Sequence, residues 1–240
     1  MINLVITGIN GEIGQTIKKI ANKDDRFNLI GGISRNPNKL NNNLLVTKKL
    51  NDKFKNSDLI IDFSHPNNLN DILNFAKNNN IPLLIGTTGY NKRQEELIHN
   101  SSKNFPIKHI GNTALGVNLL KDLVEKASKF LGDNFDIEII EKHHKTKLDA
   151  PSKTALMFAN TINNTKEYNY KIKNGRKGAN LNNSKKEIGI HSIRAGNLKS
   201  EHTIIFSGEN ETIEFKSHVF SNKAFATGAL NSGLKLIKSK

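Results

Sequence analysis

The stretch Ile2-Asn3-Leu4-Val5-Ile6-Thr7-Gly8-Ile9-Asn10-Gly11-Glu12-Ile13-Gly14 sets the fold. Its first half is a short apolar run, the form of a strand buried on both faces. Its second half sets glycines at 8, 11 and 14, where an amphipathic helical pattern from Ile13 to Asn22 begins. A turn this tight needs Gly8, a pyrophosphate can approach the backbone only where Gly11 lacks a side chain, and Gly14 lets helix and strand pack closely. The helix N-terminus adds N–H groups and the positive end of a dipole. Gly8, Ile9, Asn10, Gly11, Glu12 and Ile13 are therefore the expected seat of a dinucleotide. An ordinary glycine turn is the alternative if the motif is taken alone.

Further along the chain, apolar strands alternate with helical stretches up to about Ile110. Strands are expected at Ile2–Thr7, Phe27–Ile33, Leu59–Phe63, Leu83–Ile85 and Ile107–Ile110, with helices at Ile13–Asn22, Leu69–Asn78 and Lys92–Asn100. This is the sequence form of a doubly wound parallel sheet. A long helical pattern, Val117 to Leu131, stops at Gly132 and looks like a bridge between two domains. Beyond it come a strand at Phe135–Lys142, a helix at Ser152–Thr161, and strands at Ile188–Arg194, Thr203–Phe206 and Thr212–Phe220. They are joined by loops, as in an α+β unit with a mixed or antiparallel sheet. Most of 163–186 is polar and aperiodic and reads as a loop or poorly ordered excursion. A final helix, Ala224–Ile237, is expected to pack back on the first unit. The fold class is α/β: a Rossmann-type domain over 1–114, joined by the helix of 222–240, and an α+β substrate and oligomerisation domain over 115–221.

At the end of the second strand, where a dinucleotide fold reads the ribose, stand Ser34 and Arg35 in place of an acid. An arginine there suits a 2′-phosphate, which favours NADPH over NADH. Gly86, Thr87 and Thr88 follow the Leu83–Ile85 strand, and Ile110, Gly111, Asn112 and Thr113 close the Ile107–Ile110 strand. These carboxyl ends are where ligands bind in open α/β sheets, although turn chemistry alone also places such residues there.

The 240 residues carry a net charge of +14 and no cysteine. Without cysteine there are no disulfides, thiolate catalysis, iron–sulfur clusters or thiolate zinc sites. The charge invites a nucleic-acid reading, but the lysines are scattered and often flanked by asparagine, without finger, zipper or aromatic interleaving. No apolar run approaches the roughly 20 residues that cross a bilayer, and the chain enters a strand pattern at once, without a signal peptide. The expectation is a cytoplasmic protein with no nucleic-acid or membrane partner, whose basic surface attracts anionic small molecules.

Glu141-Lys142-His143-His144-Lys145-Thr146-Lys147-Leu148-Asp149-Ala150-Pro151-Ser152-Lys153-Thr154-Ala155 runs from a strand through a loop into a helix and concentrates cations. Adjacent histidines on an extended chain point to opposite faces and chelate poorly, so no metal site is expected. One histidine can act as acid while the other binds substrate. A joint role for His143 and Lys147 requires the loop to fold back. Ser152, Lys153 and Thr154 open a helix, where hydroxyls and N–H groups suit a carboxylate. An exposed basic loop with an N-cap is the plainer reading.

This run resembles the signature of the dihydrodipicolinate reductases (4-hydroxy-tetrahydrodipicolinate reductases), Glu-x-His-His followed by Lys-x-Asp-Ala-Pro-Ser-Gly-Thr-Ala. Ile61-Asp62-Phe63-Ser64-His65-Pro66, Gly86-Thr87-Thr88-Gly89, Gly116-Val117-Asn118, Ile193-Arg194-Ala195-Gly196, Glu201-His202-Thr203, His218 and Phe225-Ala226-Thr227-Gly228-Ala229 extend the resemblance over nearly the whole chain. It implies an enzyme of lysine and diaminopimelate synthesis, usually tetrameric, that reduces a cyclic unsaturated imine dicarboxylate with NADPH or NADH. It implies His143 as general acid, Lys147 as a second proton donor, and His144, Lys153 and Thr154 as ligands of the substrate carboxylates.

The sequence also departs from the family pattern. Lys153 stands where glycine is usual, and would be strained if that position needs φ > 0. Glu12 replaces a frequent arginine, Thr113 a bulky apolar residue, and Lys223 an arginine. Two other readings stay open: a related dehydrogenase of similar architecture acting on another amino-acid-like or sugar substrate, and a nucleotide-sensing or nucleic-acid-binding protein.

Overall fold

The computed structural model describes residues 1–37, 44–178 and 186–238. The chain divides into two compact units, Met1–Ala114 together with the chain from Asn222 onward, and Leu115–Ser221.

The first unit holds six parallel strands: β1 (Ile2–Thr7), β2 (Phe27–Ile33), β3 (Leu45–Thr47), β4 (Leu59–Asp62), β5 (Leu83–Ile85) and β6 (Ile107–His109). Their order is β3-β2-β1-β4-β5-β6. It reverses between β1 and β4, and that switch point is where an open parallel sheet leaves a crevice at its carboxyl ends. Because side chains alternate along a strand, β1 sends Leu4 and Ile6 to one core and Val5 to the other, and all three are fully buried. Helices α1 (Glu12–Ala21) and α6 (Asn222–Lys238) close the first core through Ile17, Ala21, Ala226, Ala229 and Leu230. Helices α2 (Leu69–Asn78) and α3 (Lys92–Ser102) close the second through Leu69, Ile72, Leu73, Ala76 and Ile98.

The second unit begins with α4 (Leu115–Leu131), which ends before Gly132 at φ +63°. A five-stranded mixed sheet comes next, in the order β11-β10-β7-β9-β8. Its strands are β7 (Asp136–His143), β8 (Lys171–Asn174), β9 (Glu187–Arg194), β10 (Ser200–Ser207) and β11 (Thr212–Val219). β7 runs parallel to β9 and antiparallel to β10. Helix α5 (Lys153–Asn163) buries Ala155, Phe158, Ala159 and Ile162.

The structure corrects the sequence reading in three places. Within 163–186, whose other described residues are mostly turn or irregular, Lys171–Asn174 pairs with Glu187–Ile190 as an unexpected edge strand, its lysines and asparagine escaping an apolar pattern because an edge is half solvated; residues 179–185 lie outside the described ones. Strand β3 was not expected, its three half-buried residues standing between the polar runs Asn41–Asn43 and Lys48–Lys49. Strand β10 starts at Ser200, three residues before the expected Thr203, because Glu201 and His202 are buried polar residues.

Candidate active site

At the dinucleotide end, Gly8 takes φ +77°, and a Cβ there would stand 2.0 Å from Phe63 O. A Cβ on Gly14 would stand 2.2 Å from Gly8 O, so turn and helix can lie this close only with glycine at both positions. Gly11 is the N-cap of α1, and no side chain caps that end. The Ile9 side chain is fully buried and its N–H is spent on Ile33 O at 3.2 Å. Asn10 clamps the turn to the β2 loop, its Nδ2 donating to Ser34 Oγ at 2.7 Å and to Asn36 O at 2.9 Å. Its Oδ1 is buried without a partner. Glu12 is exposed and accepts from Asn222 Nδ2 at 3.0 Å, and Ile13 is half-buried on the first core. A glycine turn opening a helix that no side chain caps leaves N–H donors for a bound dinucleotide phosphate.

The other expected contacts divide by exposure. Arg35 is exposed beside buried Ser34, and Thr88 and Gly111 are exposed. Thr87 is buried, and its Oγ1 accepts from Ser64 N at 2.8 Å. Ile110 donates its N–H to Ile85 O at 2.9 Å, and Asn112 accepts from Ala114 N at 3.0 Å. Thr113 is 2 % exposed and donates to Phe225 O at 2.8 Å. Its carbonyl would meet a Cβ on Gly228 at 1.7 Å, so the side chain of Thr113 seats α6 and is not open to a ligand.

Two features of this unit were missed. Asp62, at the end of β4, is 2 % exposed and accepts from Thr7 Oγ1, from Ser64 N at 3.2 Å and from Tyr90 OH at 3.5 Å. Burial raises its pKa, against the lowering effect of hydrogen bonds from Ser64, Thr7 and Thr87. The residue thus ties the ends of β1, β4 and β5 together. Beside it lies a cavity of about 400 Å³ lined by Thr7, Ile33, Lys48, Lys49, Asn68 and Phe75 among others. Only the pair Lys48-Lys49, just after the unexpected strand β3, could have signalled it.

In the second unit, β7 alternates so that Ile137, Ile139, Glu141 and His143 all point into the buried face. Glu141 is fully buried with every oxygen engaged. Oε2 meets His143 Nδ1 at 2.5 Å and Arg194 Nη1 at 2.8 Å, while Oε1 accepts from Arg194 Nη2 at 2.8 Å and Ser152 N at 3.1 Å. Burial alone would raise its pKa, but hydrogen bonds from His143, Arg194 and Ser192 outweigh it and hold Glu141 far below the usual carboxylate range. An ionised carboxylate only accepts, so His143 carries its proton on Nδ1.

His143 is 7 % exposed, and its ring meets the edge of His202 at 5.4 Å between centroids. His202 is fully buried, and burial first, then the charge of His143, pushes it down to about 3. It stays neutral between Ser152 Oγ at 3.1 Å and Ser200 Oγ at 3.3 Å.

The 144–151 loop does fold back. Lys147 N bonds to His144 O at 3.1 Å, Lys145 N to Gly196 O at 3.2 Å, and the Ala150–Pro151 peptide is cis. Lys147, one-fifth exposed, pairs with Asp149 at 2.7 Å, and its charge, like that of His143, is felt at His202. His144 lies off the buried face, its Nδ1 2.7 Å from Thr146 Oγ1. Ser152 does not offer its hydroxyl to a ligand: it is 2 % exposed, caps α5 by accepting from Ala155 N at 3.2 Å, and meets His202. Lys153 is exposed and Thr154 half-buried. Lys153 is the first helical residue, and Asn80 is the non-glycine with positive φ among the described residues, so the lysine replacing glycine is unstrained.

Residues 2–113 match the family model "Dihydrodipicolinate reductase, N-terminus" and residues 116–240 match "Dihydrodipicolinate reductase, C-terminus". The chain belongs to the dihydrodipicolinate reductase family. It is 37% identical to the 4-hydroxy-tetrahydrodipicolinate reductase of Clostridium novyi over 97% of this chain and 91% of that one. Identity to the Caldanaerobacter subterraneus reductase is also 37%, over 100% of this chain and 94% of that one. Among solved structures, the dipicolinate-bound dihydrodipicolinate reductase from Paenisporosarcina sp. TG-14 superposes with a TM-score of 0.82 at 24% identity, covering 99% and 95% of the two chains. That likeness shows a shared fold. For the family, the loop from His143 to Lys153 is the stretch whose chemistry needs explaining, and Arg194 and His202 are the residues behind it that the sequence reading left without a role.

Proposed function

We propose that this reductase family member converts 4-hydroxy-tetrahydrodipicolinate to tetrahydrodipicolinate with NADPH or NADH, in lysine and diaminopimelate synthesis. The observation that carries the reading is the placing of His143, His144, Lys147 and Lys153 on one folded-back stretch between the end of β7 and the N-terminus of α5. A ring with two carboxylates needs several cations in one small space, and a helix N-terminus adds to them.

In this reading residues 1–114 with the 222–240 helix hold the cofactor, and 115–221 bind substrate and join copies. Gly8, Ile9, Asn10, Gly11, Glu12 and Ile13 seat the pyrophosphate. Gly86, Thr87, Thr88, Ile110, Gly111, Asn112 and Thr113 flank the nicotinamide end, Thr113 through its backbone. The nicotinamide, when bound, supplies hydride. His144, Lys153 and Thr154 hold the substrate carboxylates, and His143 releases a proton to the atom where negative charge develops, with Lys147 as second donor. Arg35 is the contact for a 2′-phosphate, which supports a preference for NADPH.

We assign the protein to the cytoplasm as a homotetramer without nucleic-acid or membrane partners; no helix among the described residues is long and apolar enough to cross a membrane. Support for an oligomer comes from the sheet of the second unit. Its face opposite Glu141 and His143 carries Ile140, Ile205 and Ile193, the last 40% exposed, among Glu138, Lys142 and Lys216. Such a mixed apolar and charged face suits burial against a copy of itself.

The test follows NADPH absorbance with freshly prepared substrate, beside a panel of aspartate-like and sugar substrates. Rapid loss with the cyclic dicarboxylate alone supports the reading. Turnover only of another panel member replaces it with the related-dehydrogenase reading.

A further inference from the structure

A general acid needs its proton on a defined nitrogen. Histidine has two, and the partner of one decides the state of the other. Four donors converge on the Glu141 carboxylate from three elements of the second unit: His143 at the end of its own strand, both Arg194 guanidinium nitrogens on β9, and the Ser152 N–H at the start of α5. Arg194 Nη2 also donates to Asp149 O at 2.6 Å, so the same guanidinium holds the loop that carries Lys147.

We propose that Glu141 and Arg194 are positioning residues for the acid: the carboxylate fixes the Nδ1–H form of His143, and the guanidinium holds the carboxylate in place. This rests on the reading of His143 as the proton donor. With Nδ1 committed, the transferable proton sits on Nε2. In the step, the Nε2–H bond breaks, its electron pair stays on the ring, and the proton bonds to the substrate atom that has gained an electron pair from hydride addition. The imidazole left behind is neutral and still donates Nδ1–H to Glu141. No proton reaches the carboxylate, because Arg194 keeps it ionised.

The arrangement is more than packing. A buried arginine–carboxylate pair is a poor source of stability compared with apolar residues of the same volume, and this one spends its carboxylate oxygens on the ring and the helix start as well as the guanidinium, which also holds the loop. The charged and titratable groups around His143 are Glu141 on β7, Arg194 on β9, His202 on β10, and Lys147 with Asp149 on the loop. Burial keeps His202 neutral, so it does not titrate in the working range.

The test uses the full-length protein labelled with ¹⁵N-histidine, with the His143 signal assigned by its loss in His143→Ala. In the wild type at alkaline pH, long-range ¹H–¹⁵N spectra should show the Nδ1–H form. An Nε2–H form overturns the proposal without any variant. The pH profile of kcat/KM gives the second readout, with NADPH binding as the check on folding. An acid must be protonated, so activity falls as pH rises through its pKa. Glu141→Gln removes the charge that favours the imidazolium and should move that alkaline limb down by about one pH unit, with turnover reduced about 100-fold. Arg194→Gln removes the opposing cation and should move the limb up. Limbs unmoved in both folded variants overturn the positioning role, even where His143→Ala has lost turnover. Normal turnover in His143→Ala instead removes the reading on which the proposal rests.

Discussion

The Ser152 hydroxyl lies 3.1 Å from His202 Nε2 while it accepts the Ala155 N–H that starts α5. The same hydroxyl pairs with both the backbone and the ring, whose Nδ1 pairs in turn with Ser200 Oγ. One hydroxyl thus caps α5 and partners a fully buried imidazole.

Ser152→Ala should therefore cost more than an ordinary cap. The cap itself is worth about 1 kcal/mol, and a buried imidazole nitrogen left without its partner adds about 1–3 kcal/mol. Asn91, the exposed cap of α3, provides the comparison, and Asn91→Ala should lose about 1 kcal/mol alone. Urea unfolding of both variants decides the matter, and equal losses would contradict the buried link.

Gly14→Ala places a methyl 2.2 Å from Gly8 O and 2.9 Å from Ile9 Cα, both backbone atoms that cannot swing aside. The expected result is a loss of about 3 kcal/mol with weakened dinucleotide binding. Gly111→Ala meets nothing within 4 Å and should leave stability within about 0.5 kcal/mol of the wild type. Thermal melts with and without NADPH compare the two.

Asp62 sets a stability term with a definite sign in pH. Burial raises its folded pKa above the ordinary value of 3.8, so the folded state keeps the proton to higher pH than the unfolded chain does. Its contribution is full below 3.8 and is lost as pH rises through the folded value. Asp62→Asn, which never ionises, should gain on the wild type between about pH 4 and pH 7. Unfolding free energies across that range check this, and a difference that shrinks with pH goes against it.

Arg35→Ala should raise KM for NADPH about tenfold and leave KM for NADH unchanged, as expected for one charge-assisted contact to a 2′-phosphate. Parallel steady-state kinetics with both cofactors are the measurement. An equal rise for both would place Arg35 outside that contact.

The fold was legible where burial is apolar. Leu4 to Ile6 and Leu59 to Ile61 announce two-sided burial, and Gly8 and Gly14 announce a close approach that their missing side chains then permit. It was hidden where burial is polar. Glu201 and His202 lie inside the sheet because Lys142 and Lys216 neutralise the first and Ser152 and Ser200 satisfy the second. Apart from Ser200, these partners are distant in sequence, and the two lysines reach Glu201 only through the register of β7, β10 and β11. For the same reason the order of residues in the Glu141–Thr154 loop suggested which groups carry the chemistry, but gave no sign that Arg194, 53 residues from Glu141, would be tied to it. The sequence offered Ser152 both as a carboxylate ligand and as a helix cap, and only the folded chain shows that its hydroxyl is already held by Ala155 N and His202.

The proposed chemistry stands on His143, assisted by Lys147, delivering the proton that completes reduction of a two-carboxylate ring. The single-turnover rate of NADPH oxidation by the wild type, His143→Ala and Lys147→Ala examines that step itself, with saturating 4-hydroxy-tetrahydrodipicolinate and with NADPH affinity measured separately. The expected outcome is a fall of about 100-fold or more in each variant, with NADPH affinity changed less than about threefold, equivalent to under 1 kcal/mol. Near-normal rates in both variants would show that neither residue delivers the proton.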